Sequence, residues 1–80
     1  MKLIQERLDK LMEGYSIKLY DHTKLGTKTL DFDNDKNHIL KQARLYLRDV
    51  KNIEIIKNGQ VLVNKKDLID NDNKSLINIL

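Results

Sequence analysis

The sequence predicts one α+β domain in the order αββαββ, with two helices on one face of a small antiparallel four-stranded sheet. Three observations carry this. The apolar period changes from 3.6 to 2 after residue 14 and repeats that change after residue 50. An Asn58-Gly59 pair separates two apolar, β-branched runs, the pattern of a tight hairpin. Eighty residues have room for a single core.

Leu3, Ile4, Leu8, Leu11, Met12 and Tyr15 recur at helical spacing and predict a helix over about residues 2–13. Glu6 and Lys10 form a favourable pair on its polar side, and Gly14 stands where a left-handed cap would end it. Tyr15, Ile17 and Leu19 then alternate with polar residues, as do Leu30 and Phe32. Two strands joined by a polar loop from Asp21 to Gly26 follow. Asp33, Asn34 and Asp35 are candidate N-caps. Ile39, Leu40, Ala43, Tyr46, Leu47 and Val50 place the second helix at about residues 36–49.

In the second hairpin, register decides burial, because a slip of one residue inverts the faces. A three-residue loop, Lys57-Asn58-Gly59, pairs Ile55 with Val61 and Ile53 with Val63, so that all four share one face. This register is expected, with Gly59 left-handed in a bulge. Ile56, Leu62 and Tyr20 then point to the opposite, partly open face. Residues 64–80 offer two alternatives, a final helical turn capped by Ser75 or a closing strand at Leu76–Leu80.

The chain has no cysteine, which excludes disulfides, thiolate metal sites and a cysteine nucleophile. Charges interrupt the apolar residues of the N-terminus, unlike a signal peptide, and no apolar run approaches a membrane span. A cytoplasmic location without membrane contact is expected. The three glycines are too scattered for a phosphate-binding loop. Asp31, Asp33 and Asp35 imitate the start of a calcium loop. The pattern fails at Lys36, where glycine is needed, and at Gln42, where glutamate is needed. Helix capping accounts for these aspartates, and His22 and His38 read as solvated surface residues. No catalytic group, metal or cofactor is expected.

Charge gives the main functional signal. Lys41, Arg44, Arg48 and Lys51 follow at helical spacing. Residues 36–51 carry a net +4, and the other 64 residues a net −1. Such a stripe suits an acidic protein surface or a phosphate backbone. If it serves only for contact, changing Arg44 and Arg48 to glutamate should leave the fold nearly intact.

Lysine, asparagine and isoleucine make up 29 of the 80 residues, and proline and tryptophan are absent. Their A/T-rich codons point to a low-GC bacterium, or to a phage or plasmid within one. In size, this composition and its lack of a chemical motif, the chain resembles the small anti-defence proteins of phages and mobile elements, the anti-CRISPR type. That group has no common signature, so no residue roles carry over. The resemblance implies a non-enzymatic inhibitor or modulator that binds a host protein or nucleoprotein complex. Mimicry of nucleic acid calls for acidic residues. A net charge of +3 directs the expectation to a protein surface, or to the guide or target nucleic acid. The alternative is a nucleic-acid-binding module that uses the basic second helix.

Overall fold

The computed structural model describes residues 14–80, and the helix expected over residues 2–13 lies outside them. The described elements are β1 (Ser16–His22), β2 (Gly26–Asp31), α1 (Lys36–Tyr46), β3 (Asn52–Lys57), β4 (Gln60–Asn64), α2 (Lys65–Asp70) and α3 (Asn73–Ile79). The strands form one antiparallel sheet in the order β2-β1-β3-β4. Two hairpins thus lie side by side, linked through α1, and the leading strand of each occupies the centre. The fold is α+β, as the alternation of periods predicts.

Two-residue alternation builds the core. Ile17 pairs with Leu30 on one side and Ile55 on the other, Leu19 pairs with Ile53, and Ile55 pairs with Val63. Ile39, Leu40 and Ala43 of α1, Leu68 of α2 and Leu76 of α3 join them in one buried cluster. Truncating one of these isoleucines or leucines to alanine costs about 2–5 kcal/mol. Tyr15 closes the cluster at one end, where its hydroxyl donates to the Leu80 carbonyl at 2.8 Å. Beside it, a Cβ at Gly14 would collide with the Phe32 carbonyl oxygen, so close backbone approach requires glycine there.

The second hairpin differs from the expected register in an instructive way. Asn58 (φ 53°) and Gly59 (φ 74°) are both left-handed, making a two-residue turn that pairs Lys57 with Gln60 and Ile56 with Val61. One extra residue, Leu62, is then absorbed as a bulge, and Ile55 pairs with Val63. Ile53, Ile55 and Val63 are therefore buried as expected. Val61 lies opposite Ile56 and is 49 % exposed. The bulge sits in β4 rather than at Gly59, and it restores the inward register one pair later.

A second irregularity changes the reading of His22. The β1–β2 register shifts between Leu19 and His22, and Asp21 adopts a φ of 52°. That residue breaks the alternation and turns His22 inward, where it is 92 % buried with its ring edge-to-face on Tyr46 at 5.6 Å. Nδ1 accepts the N–H groups of Lys24 (3.0 Å) and Leu25 (3.2 Å). His22 thus organises its loop from a buried position and is not a solvated surface residue.

Helix α1 ends at Tyr46, three residues early. Lys51 must donate its N–H to the Tyr20 carbonyl (2.8 Å) as β3 begins, and Val50 must enter the core. The chain therefore leaves the helix through a turn, in which Asp49 N–H bonds the Tyr46 carbonyl at 3.0 Å. Residues 65–79 resolve the two C-terminal alternatives as two short helices, with no closing strand. Asn64 and Asp67 form a reciprocal capping box on α2. Asp72, not Ser75, caps α3 by accepting the Ser75 N–H at 2.9 Å.

Candidate functional site

The four cations of the basic stripe separate into different roles. Lys41, Arg48 and Lys51 are exposed. Arg44 is half-buried and makes three hydrogen bonds. Its Nε donates to Asn73 Oδ1 (2.7 Å), one terminal nitrogen to the Leu68 carbonyl (2.8 Å) and the other to the Asn71 carbonyl (3.0 Å). The planar guanidinium fork therefore ties α1 to the junction between α2 and α3. Arg44 lines a shallow open depression there with Leu68, Ile69 and residues 70–73. These bonds argue against the expectation that reversing Arg44 would spare the fold, because glutamate would face two carbonyl oxygens. Lys51 is not on the helix at all, since α1 stops at Tyr46 and Lys51 leads into β3.

Other cations are also committed to oxygen acceptors. Lys65 Nζ donates to the Val50 carbonyl (2.8 Å), and Lys57 Nζ to Asn34 Oδ1 (3.0 Å) while lying 4.7 Å from the centre of the Tyr15 ring. By contrast, no carboxylate of the described residues lies within salt-bridge distance of Lys41, Arg48 or Lys51; the described ion pair is His38–Asp33 at 3.2 Å. Lys41 lies on the side of α1 opposite Ile39, Leu40 and Ala43, and Arg48 follows in the turn just beyond the helix end at Tyr46. Leu45 stands one helical turn after Lys41 and three residues before Arg48, and is 65 % exposed.

Tertiary structure adds cations that no local pattern reveals. Thr23 N–H bonds the Asp49 carbonyl (3.0 Å), and Lys65 reaches Val50. These contacts bring the exposed Lys24 and Lys66 to the same end of the sheet as Arg48 and Lys51. Asp49, exposed beside Arg48, is the nearest carboxylate in sequence.

The aspartates hold protein groups. Asp31 accepts the Ser16 hydroxyl at 2.9 Å. Asp35 caps α1 by accepting the N–H groups of Asn37 and His38. Asp33 accepts the Asp35 N–H (3.1 Å) and faces the His38 ring. The Asp35 N–H, and then the His38 ring, hold the Asp33 carboxyl below the ordinary carboxylate value. The Ser75 N–H, and then its hydroxyl, do the same for Asp72. Among the described residues, no group of three histidines and carboxylates is placed to hold a metal ion, and no helix is long and apolar enough to cross a membrane.

On the outer face of the sheet, Tyr20 has partners of its own. Tyr20 donates its hydroxyl to Glu54 Oε1 (2.6 Å), and Lys18 Nζ lies 4.9 Å from the centre of the Tyr20 ring. Lys18 thus occupies one face of the Tyr20 ring. Comparison with protein-family models, curated proteins and solved structures gives no match.

Proposed function

We propose that this chain is a small non-enzymatic binding protein that engages an anionic partner through Lys41, Arg48 and Lys51. The reading extends to an inhibitor or modulator of a host nucleoprotein effector, the activity implied by the resemblance to anti-defence proteins. One observation carries it. The domain bonds Arg44, Lys57 and Lys65 to internal oxygens, yet leaves the other three cations of the stripe exposed without a carboxylate of the described residues. Exposed charge adds little to folding, so these three are free to serve contact. The test is capture of partners from host lysate by the tagged protein, with and without nuclease. A nuclease-resistant partner lost on Lys41→Glu with Arg48→Glu supports the reading. Undiminished capture by that variant refutes it.

The alternative is a nucleic-acid-binding module. Its support is the gathering of Lys24 and Lys66 near Arg48 and Lys51, which widens the basic surface beyond one helix. On that reading all partners disappear with nuclease, and affinity falls steeply with salt.

A further inference from the structure

We propose that Lys41, Leu45 and Arg48 form a docking ridge for an acidic amphipathic segment of another protein. The proposal rests on the binding-protein reading above and names the class of partner. Leu45 is the most exposed large apolar side chain among the described residues, at 65 %. A single exposed leucine is ordinary on a protein surface. Here it stands on the side of α1 away from Ile39, Leu40 and Ala43, one turn after Lys41 and three residues before Arg48 in the turn that follows the helix, and neither cation has a carboxylate of the described residues within salt-bridge distance. Ile69, 62 % exposed, lines the depression beside Arg44 and supplies a second apolar point where α1 meets α2.

Three occupants can be weighed by chemistry. A phosphate backbone would pair with Lys41 and Arg48, but Leu45 between them offers no hydrogen bond and no stacking plane. A second copy packed on this ridge about a two-fold axis would set the Lys41 and Arg48 pairs of the two copies against each other, a repulsive arrangement. An acidic segment with an apolar stripe satisfies all three residues together. Its carboxylates meet the cations at the rim, and its apolar side chains cover Leu45 and Ile69.

The test is selection of displayed dodecapeptides on the folded wild-type protein, with counter-selection on Leu45→Ser. Circular dichroism checks that both proteins are folded. A short DNA duplex is titrated in parallel by fluorescence anisotropy. The expected outcome is enrichment of peptides that carry aspartate or glutamate around large apolar residues. Their affinity should fall about tenfold with Leu45→Ser and again with Arg48→Glu, the change typical of a central contact. Peptides that bind Leu45→Ser as well as wild type, or no enrichment over the counter-selection, overturn the ridge. DNA binding that Arg48→Glu abolishes and Leu45→Ser leaves unchanged also overturns it, while leaving the anionic-partner reading standing. Absence of both peptide and DNA binding overturns the ridge, and lysate capture by the Lys41→Glu, Arg48→Glu variant then decides the anionic-partner reading.

Discussion

Replacing Arg44 with alanine removes three hydrogen bonds at once, to Leu68, Asn71 and Asn73. A bond from a charged donor contributes about 1.5–3 kcal/mol when shielded, and less in water. Only the bond to the Leu68 carbonyl is partly buried, so about 1.5 kcal/mol is assigned to it. The two exposed bonds add about 0.5 kcal/mol each, for a loss near 2.5 kcal/mol. A chain of this length has about 4–12 kcal/mol of stability in total. The melting temperature should therefore drop by about 10–20 °C, followed by far-ultraviolet circular dichroism. Arg48→Ala serves as the control and should change stability by less than about 0.5 kcal/mol. Arg44→Lys should fall between the two, because an ammonium cannot reach three acceptors in the guanidinium plane. Amide exchange should accelerate first in α2 and α3, where the lost acceptors lie. If Arg44→Ala and Arg48→Ala melt together, Arg44 is not the tie described here and returns to the contact surface.

Three further outcomes follow from the geometry. Gly59→Val should cost about 1–2 kcal/mol in urea unfolding, since Gly59 holds a φ of 74°; an unchanged midpoint would contradict the turn. Asp33 and Asp72 have lowered folded-state pKa values, so the stability they contribute is present above the unfolded value of about 4 and is lost as pH falls through the lowered values. Asp33→Asn with Asp72→Asn should flatten the acid limb of a stability–pH profile, and an identical limb would refute the assignment. Calcium or EDTA should leave the melting temperature unchanged, because Asp31, Asp33 and Asp35 already accept protein donors. A calcium-dependent rise of several degrees would show a site there.

What the sequence made legible was local. Ile17 and Leu19, Ile53 and Ile55, and the stripe Ile39, Leu40 and Ala43 announce their faces because period and burial are the same constraint. Val61 was misplaced because register is set by the turn and the bulge together, and the bulge at Leu62 has no residue signature. His22 was misread for a similar reason, as one left-handed residue, Asp21, reverses the alternation. Asn64 and Asp67 did carry a capping pattern, but their apolar surroundings were too short to show period. The candidate site was harder still. The partners of Arg44 lie 24 to 29 residues away, and two of them are backbone carbonyls, which every residue has. Spacing could therefore align four cations but could not separate the structural one from the exposed ones.

One of the sheet's two outer strands, β2, has a consequence for life at high concentration. Its outward hydrogen-bonding edge has no neighbouring strand among the described residues, and such an edge templates addition of strands from other molecules. Thr27, Lys28 and Thr29 occupy its exposed middle, with Lys28 across from the buried Leu19. Each molecule added in register would stack one ammonium against the next, and the bulge in β1 beyond Leu19 twists the hairpin away from the flat geometry that fibrils require. The same polar strand that contributes little to the core thus guards its own edge of the sheet against edge-to-edge growth.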